Sequence, residues 1–478
     1  MKTSPLSSGA PLLLALTTLA GCANLRPVSL PPAAAPFQAP ADWSQGKARA
    51  APADAAALAA WWRRFNDPLL EQLVGQALQA NPGIAQARAT LQQARATRAA
   101  AAAGLAATVS GSGQAQRSKQ DGSAVSNSYN LGFDARWEPD IFGANHYGLA
   151  ASAAALQASA ATLGGTQVSV AAEVARDYID LRGAQARLAI ARDNLANQLS
   201  TLEITNWRVQ AGMLTSLEQQ QAITAAEQAA AQLPVLEASV AQLGHALAVL
   251  CGQSPAALDA LLAPPRAIPG DGAQLALSLP AATLHQRPDV RAAEFQLEAA
   301  RARVGQADAA RYPQFRLDGS LGLSGLGWGA SGGTLLRTLL AGVTGNVLDG
   351  GASQAQLDLQ RGALAQAQAG YLSTVLGALQ EVEDALASLT GERARLEHLR
   401  LAADAAESAA LLARQRYASG LVDFQTVLET QRALYASQDG VAVTSADLGG
   451  DLVRLYKALG GGWQPDGEGA ATKQGSAP

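Results

Sequence analysis

Four short segments of the chain alternate strictly between apolar and polar positions. The clearest covers residues 129–137, similar alternation covers 315–323 and 339–347, and a weaker pattern covers 108–116. A period of two predicts β-strands with one apolar face. A tilted strand of about 10 residues is long enough to cross a membrane, so these segments are candidate membrane strands. Two half-buried hairpins of a soluble sheet would show the same pattern.

Two long stretches instead carry apolar residues at three- and four-residue spacing, which is typical of helices. Each stretch runs 69 positions between two glycines, from Gly143 to Gly212 and from Gly351 to Gly420. A helix of about 60 residues is about 90 Å long, more than a single globular domain can bury. Long helices that pair with their return helices are typical of coiled-coil walls.

The residues around the second glycine of each stretch predict tight turns. Gly212 and Gly420 permit the positive φ that ends a helix. Thr215 and Glu218 have the spacing of a capping box, and Asp423 is placed to N-cap the last long helix.

The chain is internally duplicated. Asn81-Pro82 and Arg287-Pro288, which both begin helical runs, lie 206 positions apart. An offset of 208 relates three further pairs, namely Gly143 with Gly351, Glu173 with Glu381, and Arg208 with Arg416. Each repeat therefore reads as a helix, two strands, a long helix, a turn and a long helix. The predicted domains are residues 61–265 and 266–463, followed by a polar tail at 464–478.

Composition excludes several classes of function. The 478 residues have a net charge of −4 and only 15% charged side chains, without a basic stripe, so nucleic-acid binding is not predicted. Alanine, the best helix former, is abundant and allows helices to pack closely. The four histidines are scattered without metal-ligand spacing, and no catalytic set is visible. We therefore predict neither an enzyme nor a cofactor, and Cys251 is expected to be a small buried apolar residue.

The N-terminus resembles a bacterial lipoprotein signal. Lys2 and a short apolar run precede Leu19-Ala20-Gly21-Cys22, which is similar to a lipobox. The resemblance implies that residues 1–21 are removed and that Cys22 is acylated, whereas an ordinary secretory signal with a chance cysteine is the alternative. Residues 22–60 are rich in Pro and Ala and predict an extended segment. No later run reaches 18 apolar residues, so no membrane-spanning helix is predicted.

Four membrane strands cannot stand alone, because open sheet edges in lipid leave backbone groups unpaired. Closed barrels need about eight strands or more, so copies of the chain must share one barrel. Two copies would give eight strands and three would give twelve. The many Gly, Ser, Asn and Thr residues opposite the apolar positions favour a watery lumen and hence three copies.

Five phrases spread over most of the chain resemble the TolC-like outer-membrane efflux proteins, the outer membrane factors, and most of all their NodT-type lipoprotein branch. They are WWRRFNDPL at 61–69, WEPDIFG at 137–143, RPDVRAAE at 287–294, RYASGLVDF at 416–424 and LGGGW at 459–463. The resemblance implies a mixed α and β membrane protein, in which a trimeric twelve-stranded transmembrane β-barrel is continued by a periplasmic α-helical coiled-coil barrel. It also implies a periplasmic adaptor (membrane fusion) protein and an inner-membrane transporter, usually of the proton-driven RND type, as partners.

The same resemblance points to a gate near the glycine turns. Arg416 and Tyr417 match residues that tie neighbouring helices shut, and Asp423 and Glu429 lie in the acidic part of the tip motif. Three copies of these carboxylates around one axis would form a cation-attracting constriction. The alternative is a helix cap for Asp423 and a solvated face for Glu429.

The two turns are not equivalent in sequence. Val209 holds the position in the first repeat that Tyr417 holds in the second, so Arg208 beside Gly212 is only a candidate gate residue. Trp137, Phe142 and Trp328 are candidate aromatics of the membrane interface, with ordinary packing as the alternative.

The resulting prediction is an outer-membrane exit channel of a tripartite efflux system, lipid-anchored in the outer membrane of a Gram-negative bacterium and extending into the periplasm. It would passively conduct small molecules such as drugs or toxic organics. A periplasmic coiled-coil adaptor or scaffold lipoprotein would need a biotinyl-like β domain and no membrane strands. A lipid-anchored envelope enzyme would need a nucleophile or metal constellation.

Overall fold

The computed structural model describes residues 40, 43–44, 58–119, 121–122, 124–270, 283–284, 286–326 and 333–464. Cys22, Trp328 and the tail from residue 465 lie outside the described residues. The chain divides into two compact units, which we call the strand unit and the helical unit. The strand unit contains Ala94–Leu156 and Phe295–Ala369, and the helical unit contains Phe37–Gln93, Gln157–Glu294 and Gly370–Pro478. Each unit draws on both sequence repeats.

The elements follow the predicted order. A short 3-10 helix at Trp61–Phe65 precedes, in chain order, α1 (Pro68–Ala80), α2 (Pro82–Ala103), β1 (Thr108–Ser118), β2 (Ser126–Trp137), α3 (Ala144–Gln210), α4 (Ser216–Leu250), α5 (Asp259–Leu262), α6 (Pro288–Ala309), β3 (Gln314–Leu326), β4 (Thr334–Thr344), α7 (Ala352–Ala418) and α8 (Phe424–Ala458). Corresponding helices of the two repeats have equal lengths: α2 and α6 have 22 residues, α3 and α7 have 67, and α4 and α8 have 35. The predicted duplication is confirmed in three dimensions.

The strand unit contains one antiparallel sheet in the order β1-β2-β3-β4. The register pairs Phe133 with both Gly111 and Leu321, and pairs Leu321 with Arg337. Because residues directly opposite each other share a face, all odd-numbered strand residues lie on one face and all even-numbered ones on the other. β1 and β4 are the two edges of this sheet.

The prediction for the fourth strand was partly wrong. β4 covers Thr334–Thr344, whereas the alternation had placed a strand at 339–347. The error arose because β4 contains the adjacent pairs Leu335-Leu336 and Leu339-Leu340, which hide a period of two. Pairing with β3, in which Leu323 lies opposite Leu335, decides where the strand begins.

Residues that follow the N-terminal segment lie at the centre of the hydrophobic core of the helical unit. Trp61 is fully buried and stacks on Tyr456, with ring centroids 5.1 Å apart. Asp67 N-caps α1 by accepting the backbone N–H of Leu69 at 2.9 Å, and it also accepts the hydroxyl of Tyr178 at 2.6 Å. The prediction for Cys251 is confirmed: it is a buried free cysteine, and burial raises the pKa of its thiol to about 11.

The two repeats use different residues at one shared junction. Asn81 precedes α2 and donates from Nδ2 to the carbonyl of Leu250 at 2.9 Å, where α4 ends. Arg287 precedes α6 and donates from its guanidinium to the carbonyl of Ala458 at 2.9 Å, where α8 ends. Both contacts satisfy a carbonyl that a helix terminus leaves without an internal partner. The junction is thus conserved in geometry between the repeats although its chemistry differs.

The helix α4 contradicts the prediction that no segment after the N-terminal signal is apolar enough to span a membrane. An 18-residue window of α4 has a mean hydropathy of 1.4, and 22% of that window is buried. By length and composition α4 could therefore cross a membrane. Core helices meet the same criterion, and alanine rather than an unbroken run of large apolar residues makes this helix apolar, so composition alone places nothing in the membrane.

Candidate functional site

Both long helical hairpins of the helical unit turn through a glycine with positive φ. Gly212 has φ 72° and Gly420 has φ 73°. In each turn a backbone N–H reaches back to the last helical residues: Met213 donates to the carbonyl of Arg208 at 2.8 Å, and Leu421 to that of Arg416 at 2.9 Å. These are Schellman-type helix ends, and only glycine adopts their left-handed conformation without cost.

The residues that follow the turns cap the return helices in different ways. Thr215 and Glu218 form a capping box at the start of α4. Asp423 caps α8 by accepting the backbone N–H of Thr426 at 2.9 Å. The hydroxyl and the backbone N–H of Thr426 both donate to this carboxylate, and they hold the pKa of Asp423 below its ordinary value. Both capping predictions are confirmed, so Asp423 has a structural role whatever it contributes to a gate.

Tyr417 is the centre of a small apolar cluster beside the second turn. Its side chain is 6% exposed, and its ring lies 5.9 Å from that of Phe424. Val427 and Leu428 of α8 complete the cluster together with two alanines of α4, Ala222 and Ala225. Among the described residues the buried hydroxyl of Tyr417 has no hydrogen-bond partner. Arg416 and Glu429 are both exposed, and Glu429 accepts the side-chain amide of Gln425 at 3.0 Å.

Arg208 connects the two hairpins at their turns. Its guanidinium lies 4.4 Å from the ring centroid of Tyr417, and it donates to the carbonyls of Tyr417 and Ala418, both at 3.2 Å. A cation beside the carbonyl end of a helix is stabilised by the helix dipole and by charge-assisted hydrogen bonds. Sequence reasoning had ranked Arg208 below Arg416. Within one chain, however, Arg208 is the arginine that contacts the tyrosine.

Further from the turns, two pairs of polar side chains join the hairpins, one pair buried and the other exposed. Gln431 of α8 is 4% exposed and donates to the hydroxyl of Thr201 on α3 at 3.1 Å. Arg414 of α7 donates to Asn197 of α3 at 2.9 Å. Sequence reasoning missed these links, because a glutamine or asparagine on an Ala-rich helix looks like a solvated residue. The spacing of four residues between Asn197 and Thr201 places both on one face of α3, and this pattern could have indicated the links.

In the strand unit the two faces of the sheet differ in polarity. The odd-numbered face carries large exposed apolar side chains, including Leu131, Phe133 and Leu339. The even-numbered face carries mostly Ser, Thr, Gln, Asn and Gly. It also holds a charged cluster near the strand–helix junctions, in which Asp318 accepts Arg136 at 3.1 Å and Arg316 at 2.6 Å. One face is thus suited to lipid and the other to water.

Two of the predicted interface aromatics lie beside the strand–helix junctions. Trp137, at the end of β2, is 41% exposed and donates its indole N–H to the carbonyl of Leu105 at 3.3 Å. Phe142 stacks on Tyr312 with ring centroids 4.9 Å apart. Their role at a membrane interface stays a prediction.

Comparison with known proteins identifies this combination of a membrane-type sheet and two long helical hairpins. The family model described as outer membrane efflux protein matches the chain twice, at residues 73–253 and 279–461. This chain belongs to the outer membrane efflux protein family. One match lies within each predicted repeat, and together the two matches include both glycine turns and the four strands described above.

Individual efflux proteins resemble the chain along most of its length. Outer membrane protein OprJ of Pseudomonas aeruginosa is 31% identical, over 84% of this chain and 86% of its own. Nodulation protein T of Rhizobium leguminosarum bv. viciae is 29% identical over 85% of each chain. The solved structure of the outer-membrane channel OprN matches with a TM-score of 0.84 and 33% identity, covering 91% of this chain and 100% of that chain.

These findings confirm the family resemblance, the fold class and the main function predicted from the sequence. The protein is an outer-membrane efflux channel. Its mixed α and β architecture, which has a four-stranded sheet in the described part of the chain, matches that of the OprN channel. It is located in the outer membrane and extends into the periplasm. Its family is one of transport channels, so the periplasmic adaptor alternative is set aside. Among the described residues no group of three or more potential ligands could hold a metal ion.

Proposed function

We propose that three copies of the chain close into one twelve-stranded barrel whose lumen is the exit path for small molecules. The sheet supports this assembly because β1 and β4 are both edges, and an edge in lipid must be paired. The observation that carries the proposal is the separation of the two faces by residue parity, with the charged cluster of Asp318 on the polar face. A polar, hydrated lumen wall and an apolar outer wall follow directly.

The channel would be passive and would catalyse no reaction. Energy would come from an inner-membrane transporter, of RND type, that meets this channel through a periplasmic adaptor protein. Specificity for cargo would lie mainly in the transporter, because a wide wall of Ser, Thr and Gly makes few selective contacts. We further propose that Cys22 carries the lipid, including palmitate, that anchors each chain to the outer membrane.

The gate would lie at the glycine turns. Within each chain, Arg208 would hold the two turns together by its contacts with Tyr417. Between chains, the exposed Arg416 would form the tie that keeps neighbouring helices closed, while the buried Tyr417 would tie helices together within its own chain. Asp423 and Glu429 of three copies would form an acidic constriction. Contact with the adaptor would shift the helices from a closed to an open packing.

Single-channel conductance in planar bilayers tests this proposal. We expect low conductance for the wild type and a sharp rise for Arg416→Ala combined with Tyr417→Ala. The matched control is Arg400→Ala, which removes an exposed arginine from the same helix away from the turn. The absence of a pore in both proteins, under conditions in which a control porin inserts, would contradict channel function. A large and unchanged pore would contradict only the gate.

A further inference from the structure

Two arginines lie on the apolar face of the sheet. Arg117 and Arg337 have odd numbers, as do Leu131, Phe133 and Leu339, and the register places them on the same face. Both arginines are exposed. A lipid-facing arginine costs about 2–4 kcal/mol at the midplane of a bilayer and about 0–1 kcal/mol near its interfaces. Because of this cost, we expect each arginine to have an anionic partner on this face.

The described part of the chain offers these arginines no carboxylate. The strand carboxylates are Asp134 and Asp318, and both lie on the even-numbered face. Asp121, in the loop after β1, forms no ion pair with Arg117 among the described residues. A second copy of the chain has the same sheet, so its odd-numbered face would supply no carboxylate either. Among the described residues, the sheet therefore leaves both arginines without a carboxylate partner on this face.

Both arginines lie towards the same end of the sheet. Arg117 is the last but one residue of β1, before the loop to β2, and Arg337 is the fourth residue of β4, after the loop from β3. The helices are joined to the opposite ends of all four strands. Since the helices of an outer-membrane efflux channel extend into the periplasm, the loop end with both arginines faces the cell exterior. Long arginine side chains can extend from such positions to the headgroup level.

The remaining residues at this end suit an interface. Asn127 and Tyr129 are the odd-numbered residues of β2 nearest the loop, and they lie opposite Arg117 and Ala115. Towards the periplasmic end the same face carries only apolar residues and glycine, such as Leu317, Gly319 and Val343. Polar and basic character is therefore confined to the outer part of the face.

We propose that Arg117 and Arg337 form a binding site for the phosphate groups of an anionic lipid in the outer leaflet of the outer membrane. The guanidinium group binds phosphate by paired, charge-assisted hydrogen bonds. These hydrogen bonds are stronger where little water is present. In a closed barrel β4 of one chain would adjoin β1 of the next, so the two arginines of neighbouring chains could share one lipid. This arrangement rests on the trimeric barrel proposed above.

Native mass spectrometry of the full-length protein, with diphosphorylated lipid A as the probe, tests the site. We expect Arg117→Gln combined with Arg337→Gln to weaken lipid A binding at least about tenfold, because two charge-assisted contacts are lost. The matched control is Arg136→Gln combined with Arg316→Gln, which removes two arginines from the opposite face. It should bind lipid A as the wild type does.

Three outcomes separate the possibilities. Equal binding of lipid A by the wild type and by the Arg117→Gln, Arg337→Gln variant overturns the site. Inorganic phosphate that binds as tightly as lipid A overturns the assignment to a lipid. The variant with Arg117→Lys and Arg337→Lys keeps both charges but loses the paired contacts, so it should bind lipid A more tightly than the glutamine variant and less tightly than the wild type. Equal binding by the lysine and glutamine variants would contradict a role for charge at these positions. Conductance measured on the same preparations tests the barrel itself, so failure of the pore is distinguished from failure of the lipid site.

Discussion

The two hairpin turns have the same backbone and different side chains. Each ends a 67-residue helix, turns through a glycine at φ 72° or 73° and begins a 35-residue helix. The first repeat has Val209 where the second has Tyr417, and Thr215 where the second has Asp423. Duplication thus preserved the geometry that the helices require. The side chains are not determined by this backbone geometry, and they differ between the repeats. The second turn carries Tyr417, which Arg208 beside the first turn contacts.

The largest effect should come from removing the aromatic half of that contact. Tyr417→Ala empties a buried site and should lower the opening free energy of the turn by about 3 kcal/mol, because truncation of a large buried side chain leaves a cavity. The corresponding change in the first repeat, Val209→Ala, should cost much less. Hydrogen exchange of the amides at residues 410–430 measures the effect of Tyr417→Ala, and exchange at the equivalent residues 202–222 measures the effect of Val209→Ala. Equal losses at the two positions would remove the distinction between the turns.

The next largest effect concerns the two equivalent arginines. Arg208→Ala removes a cation–π contact and the hydrogen bonds to the end of α7, and should cost about 1–2 kcal/mol in the same exchange measurement. Arg416→Ala removes an exposed side chain and should leave the exchange nearly unchanged. If Arg416 acts between chains, it should still raise conductance. The comparison fails if Arg416 rather than Arg208 protects the turn amides from exchange.

A third difference between the repeats depends on pH. Burial, together with the carboxylates of Glu173 and Asp180, raises the pKa of Asp177 to about 6. Ala385 holds the equivalent position in the second repeat. A carboxyl whose folded pKa is raised binds its proton more tightly in the folded state. Its contribution to stability therefore falls as pH rises from about 4 to about 6 and stays low above that range.

Asp177→Asn should therefore raise the thermal unfolding midpoint at pH 7.5 and change it little at pH 4. The free energy of unfolding at pH 7.5 should increase by about 1–2 kcal/mol. The increase is no larger because solvent screens part of the unfavourable interaction of the Asp177 carboxylate with its surroundings. The control is Asp404→Asn, which neutralises an exposed carboxylate for which no such gain is expected. A midpoint that rises equally at both pH values would contradict a titrating origin.

The smallest effect should distinguish the two helix caps. Thr215→Ala breaks a neutral cap and should destabilise the start of α4 by about 1 kcal/mol at any pH that leaves Glu218 ionised. Asp423 has a lowered pKa, so its cap is stabilising above the ordinary range of an aspartate and is lost as pH falls through the lowered value. Hydrogen exchange at the start of α8, measured in wild type and Asp423→Asn at pH 7 and at acid pH, should show a difference only at pH 7.

Much of the fold was predictable because it depends on local patterns. Equal offsets gave the duplication, the glycines gave the turns, and alternation gave three of the four strands. The bounds of β4 were missed because Leu335-Leu336 and Leu339-Leu340 carry apolar residues on both faces, and only pairing with β3 decides their orientation. The sequence also named Arg208 and Tyr417, but without their contact, because 209 positions separate them.

The sequence by itself determined the family, the repeats, the caps and the polarity of three of the four strands, since these follow from residue type and spacing along one chain. The tertiary structure decided which side chains meet: Arg208 with Tyr417, Gln431 with Thr201, and Asp318 with two arginines. The physical reason is the short range of these interactions. Hydrogen bonds and ion pairs act over a few ångströms, and only packing brings residues of distant helices and strands that close.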